Sequence, residues 1–313
     1  MITKVSTKDM SREEWLEARR MSIGGSDAAC ILGLNEYKSA YALWCEKTGK
    51  IVPEDISDKE AVRLGNDLEQ YAAERWSEAT GKKVRRENNI IYNSAYPFAH
   101  ANPDRIVIGE RAGLECKTTS SWSVAQQLRE GKIPDHWYCQ CIHYLMVTGF
   151  DRWYLGVLVF GVGFYQFTID KNFDEINALA ASEEIFWAGV CNGIPPSLDG
   201  SESTTEAIKT IFANSTPNTS IDLTVIGHTI DAYNAIEKEI KQLQLMKDEY
   251  ENEIKSFMGS AEKGSYGNTS ITWKRSTRPI FDKKSFEEAN GKIPEAFYKT
   301  SESRSFRVTV KKQ

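Results

Sequence analysis

The chain has only four histidines and six cysteines, and no Cys-x-x-Cys pair. None of the histidines shows metal-ligand spacing, and cysteines 30, 45, 116, 139, 141 and 191 include several inside apolar patterns such as "DAACILGL" and "YCQCIHYL". A structural zinc is therefore not expected, and reduced, packed thiols are. His143, in an apolar helical pattern, reads as a satisfied core residue. No apolar run approaches the roughly 20 residues of a membrane span, and the opening "MITKVSTKDMSREEW" lacks the apolar core of a signal peptide. These absences point to a cytoplasmic protein with no membrane partner.

There is no internal repeat and no low-complexity tract. Hydrophobic residues make up 41% and charged residues 27% of 313, which excludes disorder throughout and suits one large domain with an appendage, or two domains. Overall positive charge is lacking too, with a net charge of -5. Its distribution is uneven: residues 271 to 313 hold eleven Lys/Arg against five Asp/Glu, which makes that segment +6 and the remainder -11.

Ser11 and Glu14 form a capping-box pattern that predicts a helix ending near Arg20. "IGGS" interrupts it, and Ser26 is placed to cap a second helix through "DAACILG". A third helix is expected at about 38 to 48. Ser57 and Glu60 suggest another box, followed by an amphipathic helix whose stripe is Leu64, Leu68, Ala72 and Trp76. Residues 83 to 118 read as short strands, "KVRREN", "NIIYN", "DRIVIG" and "GLECKT". Helices near 122 to 131 and 135 to 148, a hairpin around Gly161 to Gly163, and a helix at about 172 to 191 complete a helix-flanked mixed sheet, an α/β or α+β fold.

"CNGIPPSLDGSESTTE" is the best boundary in the chain and divides it into 1–198 and 199–313. Beyond it, Tyr233, Ile236, Ile240, Leu243, Lys247, Tyr250, Ile254 and Phe257 alternate spacings of three and four along one long helix, about 222 to 258. Such a stripe suits a packing face, a hairpin within the chain, or self-association. The basic end is expected to hold short strands, "SITWKRS" and "SFRVTVKK", around a helix near 284 to 290.

Chemistry concentrates in "ANPDRIVIGERAGLECKTTS". Strand alternation sends Glu115 and Lys117 to one face and Cys116 to the other. A turn centred near Glu110 and Arg111 sets Asp104 across from Lys117. Two close carboxylates repel each other unless a cation lies between them, and oxygen ligands favour a hard metal such as Mg²⁺. An adjacent ammonium can orient or help deprotonate a metal-bound water, as hydrolysis of a phosphodiester requires. The simpler alternative is a surface hairpin with an Asp–Lys ion pair worth at most about 1 kcal/mol. Gln140, three residues after Trp137 and four before Tyr144, places an amide on an apolar helix face, where it needs partners even as a core residue. Glu69 flanks the apolar stripe of its helix, the usual place of a solvated glutamate. Arg19 and Ser26 border the two glycines of "ARRMSIGGSDAA", an arrangement suited to an anion, or simply an N-cap beside a surface arginine.

Four segments in order, "RRMSIGGSDAACILGL", "GNDLEQYAAERWSEATGKKV", "ANPDRIVIGERAGLECK" and "YCQCIHYLMVTG", resemble the PD-(D/E)xK nucleases. Within them the likeness is to the YqaJ-like viral recombinases related to lambda exonuclease, over about residues 12 to 190. The resemblance implies a restriction-endonuclease-like core. It implies Asp104, Glu115 and the Cys116 carbonyl as ligands of Mg²⁺, with Mn²⁺ as an alternative, and Lys117 as the lysine that activates water. It also implies Glu69 near the metal, Gln140 supporting the centre, and Arg19 with Ser26 holding a terminal 5′-phosphate. Asn102 is a departure, since family members can place another hydroxyl before the Pro-Asp.

The expected activity is digestion of linear double-stranded DNA from 5′ to 3′, leaving 3′ overhangs for recombination. A toroidal homotrimer, a single-strand annealing partner of the RecT or Bet kind, and a phage or prophage gene in a bacterial host are implied by the same likeness. A superfamily endonuclease and a non-catalytic DNA-binding or interaction module are the alternatives.

Overall fold

The computed structural model describes residues 1–53, 55–299 and 304–309, in two compact units that divide between Ala213 and Asn214. The first unit begins with β1 (Ile2–Ser6), α1 (Arg12–Arg20), α2 (Gly25–Ile31), α3 (Ala40–Lys47) and α4 (Glu60–Thr80). Five strands follow: β2 (Val84–Arg86), β3 (Asn89–Asn93), β4 (His100–Ala101), β5 (Arg105–Val107) and β6 (Ala112–Thr119). Then come α5 (Trp122–Arg129), α6 (Asp135–Thr148), the hairpin β7 (Arg152–Val159) and β8 (Gly163–Asp170), α7 (Phe173–Asn192) and α8 (Glu202–Ile211).

The main sheet has the order β2-β5-β6-β7-β8, with β6 and β7 parallel and every other pair antiparallel. A parallel pair needs a long crossover, which α5 and α6 provide, so the expected mixed sheet with flanking helices is what forms. Strand β7 alternates between the two faces. Trp153 joins the core of α2, α3, α6 and α7, Leu155 and Val157 pack under α5, and Tyr154 turns the other way to Trp76 of α4 and Leu114 of β6. Gly113 is required where Trp153 crosses β6, since a Cβ there would lie 2.3 Å from the indole. A smaller antiparallel sheet, β1-β3-β4, is separate in its pairing and packs Ile91 and Ala101 into the same core as Trp153.

Several local expectations change. Ser11 and Glu14 do form the capping box of α1. The Ser57 box does not form: α4 is preceded by Lys59, and the Ser57 N–H is turned to Asp55 instead. The α4 stripe is buried only in its second half, at Ala72 and Trp76, whereas Leu64 is exposed. Strand β1 carries no apolar pattern and is exposed along its length; pairing with β3 creates it. The first unit also runs past the expected boundary at 198, because Ser201 caps α8 and Thr204 donates to Ser39 at 2.8 Å, which seats α8 on α3.

The second unit contains a 3-10 turn (Thr224–Ile226), α9 (Gly227–Met258), the hairpin β9 (Lys263–Tyr266) and β10 (Thr269–Thr272), α10 (Lys283–Asn290) and a 3-10 turn (Glu295–Phe297). No residue of α9 is buried. Only the start of "SITWKRS" is strand; residues 305–309 of "SFRVTVKK" form none, and 310–312 lie outside the described residues.

Candidate active site

Glu115 and Lys117 leave β6 on the α6 face, and Cys116 packs on the α4 side against the cluster of Leu114 and Trp76, as alternation requires. The partner strand is displaced from its expected register. Arg105 pairs with Leu114 and Ile106 with Gly113, a register that continues to Asp104 opposite Glu115, not Lys117. The shift comes from the turn, which uses Gly109 in the left-handed region (φ +86°) and so centres earlier than Glu110 and Arg111. Asp104 Oδ2 accepts the Cys116 N–H at 2.8 Å, which anchors the carboxyl at the end of the hairpin.

The buried amide of Gln140 organises the opposite side. Its Nε2 donates to Glu115 Oε1 at 2.7 Å and to the Tyr144 hydroxyl at 2.9 Å, and its Oε1 accepts from Lys117 Nζ at 2.9 Å. Lys117 Nζ also lies 2.7 Å from Glu115 Oε1. Tyr144 passes its own proton to the Asn102 carbonyl at 3.2 Å. Carboxylate, ammonium and amide are thus fixed against one another in a ring of bonds, with Tyr144 fixing the amide from behind. The second Glu115 oxygen, Oε2, is buried and has no hydrogen-bond partner.

Electrostatics follow from that crowding. The Asp104 carboxyl is pushed well above its ordinary value, first by burial and then by the Glu115 and Glu69 carboxylates. Burial opposes the charge on Lys117, but Glu115 and Asp104 outweigh it and hold the ammonium above its ordinary value. Glu69 reaches the edge of this group and is ion-paired with Arg105, whose Nη2 also donates to Gln70 Oε1 at 3.0 Å. The structure therefore brings Glu69, Asp104, Glu115, Lys117 and Gln140 together.

Arg19 and Ser26 also meet, with Arg19 Nη2 donating to Ser26 Oγ at 3.0 Å. Ser26 is not the cap it was expected to be. Helix α2 has seven residues and starts after Gly24, whose N–H is taken by Asp27 Oδ2 at 3.0 Å. The Arg19 guanidinium is stacked 4.5 Å from the Trp15 ring centroid, which presents it as a flat, oriented donor.

Residues 14–151 match the YqaJ-like viral recombinase domain. The chain is 38% identical over 303 residues to the uncharacterized protein YqaJ of Bacillus subtilis (strain 168), a match covering 96% of this chain and 93% of that one. The chain belongs to the YqaJ family. Among solved structures, this YqaJ-family chain is similar to LHK-Exo, an alkaline exonuclease from Laribacter hongkongensis. The complex of that enzyme with dAMP gives a TM-score of 0.50 at 20% identity over 58% of this chain and 94% of that one. The other LHK-Exo structure gives 0.48 at the same identity and the same coverage. That likeness is one of fold, and it fits the mixed sheet with flanking helices.

Two residues of the candidate site were not singled out in sequence. Tyr144 shares the apolar helix face with Gln140 at a spacing of four, a signal that could have marked it as the amide's partner. Arg105 directly follows Asp104, but nothing local shows that it turns back to Glu69 across more than thirty residues. His143 is a core residue, as expected, between Glu183 at 2.7 Å and the His100 carbonyl at 2.8 Å. Burial pushes the Cys30 and Cys139 thiols up to about 12, which suits inert, packed thiols.

Proposed function

We propose that this protein is a metal-dependent deoxyribonuclease that digests linear double-stranded DNA from its 5′ ends and leaves 3′ single strands for recombination. The observation that carries the reading is the buried Glu115 carboxylate, with one oxygen unpartnered, beside the Asp104 carboxyl and the Lys117 ammonium. The names of the relatives, a viral recombinase domain and an alkaline exonuclease, agree with it.

The residues fit a hard divalent cation. An orphaned carboxylate oxygen and a carboxyl raised by burial and by its carboxylate neighbours are both relieved by positive charge. Among the described residues no three His, Cys, Asp or Glu side chains form a ligand set. The donors would be Asp104 and Glu115, with the Cys116 carbonyl as the third that the family resemblance implies. Mg²⁺, or Mn²⁺, would supply Lewis acidity and a water acidified enough to attack phosphorus.

The chain's own residues do the rest. Lys117 keeps a proton on Nζ and offers a cation and N–H donors to the attacking water or the phosphodiester oxygens. Gln140 holds Lys117 and Glu115 at a fixed separation, so neither must reorganise during the reaction. Arg105 keeps Glu69 at the margin of the carboxylate group. Arg19 and Ser26 would receive the terminal phosphate, an assignment that makes the enzyme act from an end. A homotrimer around DNA and a single-strand annealing partner of the RecT or Bet kind complete the proposal, in a phage or prophage setting in the bacterial cytoplasm.

The test is a linear duplex labelled at either end, digested with Mg²⁺ or with EDTA. The expected result is metal-dependent release that begins at 5′ ends. Efficient cutting of closed circles would point to an endonuclease, and metal-independent digestion would remove the carboxylate assignment.

A further inference from the structure

Lys47 takes no part in the chemistry above, yet its side chain is only 6% exposed at the end of α3. All three ammonium protons have acceptors. Nζ lies 2.8 Å from the Arg19 carbonyl, 2.8 Å from the Ser22 carbonyl and 2.7 Å from Asp27 Oδ2. Through the Asp27 bond to the Gly24 N–H, the same cation reaches the start of α2. One buried charge therefore ties the last turn of α1, which carries Arg19, to the first turn of α2, which carries Ser26.

We infer that Lys47 is a positioning residue for recognition of the terminal phosphate: it fixes the backbone that presents Arg19 and Ser26, and it cancels the negative charge of Asp27 beside them. The inference rests on the reading of Arg19 and Ser26 as phosphate contacts. Asp27 is next to Ser26 in the chain and feels Arg19 electrostatically. Burial alone would raise its carboxyl, but Lys47 and then Arg19 bring it down to about 2, so it is ionised at any working pH. Without Lys47, an uncompensated carboxylate would draw the Arg19 guanidinium and compete with a phosphate for it.

The experiment uses the full-length protein as wild type, Lys47→Met, Asp27→Asn and the double variant. Each is measured for kcat and KM on matched linear duplexes carrying a 5′-phosphate or a 5′-hydroxyl, with near-ultraviolet circular dichroism to monitor folding. Lys47→Met should raise KM for the phosphorylated end about tenfold and bring the preference between ends towards one, with kcat little changed. Adding Asp27→Asn should restore part of the preference, the part lost to the uncompensated carboxylate. Asp27→Asn alone, which weakens the Gly24 contact but keeps the Lys47 bonds to the Arg19 and Ser22 carbonyls, should lower it less than Lys47→Met does.

A Lys47→Met enzyme with the wild-type preference overturns the role. A double variant no better than Lys47→Met overturns the charge compensation that a merely structural lysine would not show. If Lys47→Met fails to fold, the double variant decides, since the proposal requires it to fold and to prefer phosphorylated ends. A wild type indifferent to the phosphate defeats the pocket reading itself, which no behaviour of the variants imitates.

Discussion

Helices α6 and α9 both space apolar residues by three and four, yet α6 buries every residue from Cys139 to Thr148 and α9 buries none. On α6 a polar side chain must find a partner, because water does not reach it, and Gln140, His143 and Tyr144 are all bonded at distances of 2.7 to 3.2 Å. On α9 the polar groups are solvated, and Leu243 remains 57% exposed on the apolar stripe itself. Regular spacing shows that a helix has a face; burial of that face gives its polar residues fixed partners and hence a role.

Substitutions can break this contrast, starting with the largest expected effect. Replacing Lys117, which Gln140 of α6 holds, by Ala should lower Mg²⁺-dependent digestion of a labelled duplex by at least about a hundredfold. Asp104→Ala should do the same, and activity equal to wild type in either variant would remove the assigned site. Next in size, Leu145→Ala on the fully buried side of α6 should cost about 2–5 kcal/mol in urea unfolding of the first unit, through the cavity it leaves.

A pH effect comes from the same core. His100 is 1% exposed with Nδ1 bonded to Ser22 at 2.8 Å, and burial brings its ring down to about 3. A depressed folded value means that its contribution to stability is complete above the ordinary histidine range. It is lost as pH falls from about 6.5 towards about 3. Thermal melts should show stability declining across that window, and His100→Gln should flatten the decline. The smallest effect should come from Leu243→Ala on α9, within about 0.5 kcal/mol by the same urea measurement. A cost comparable to that of Leu145→Ala would mean that α9 is not the solvated helix described.

Much of the site was legible because its signals are local. Alternation along β6 assigns Glu115 and Lys117 to one face from neighbouring residues alone, and the Ser11 and Glu14 box depends on a single turn. Contacts between distant segments have no such local signal, and only the family resemblance set Gln140 and Glu69 beside Glu115 and Lys117. Strand β1 exists because Ile2 pairs with Asn93, and Glu69 is fixed by Arg105. The hairpin register moved because Gly109, not the residues after it, took the left-handed position of the turn. At α2 the expected cap was displaced by Asp27, whose own charge is governed by Lys47 from another helix.

The sequence by itself determined most of the elements, though not β1 or α8, together with the two faces of β6, the polar residues set on apolar faces and the family. Only the tertiary structure decided which partner each buried polar group takes: Asp104 the Cys116 N–H, Glu115 the Gln140 amide, and Lys47 the Asp27 carboxylate. The physical reason is range. Backbone periodicity acts over one turn or one strand and is written in adjacent residues. The partner of a buried charge is chosen by desolvation, which acts only after distant segments have closed around it.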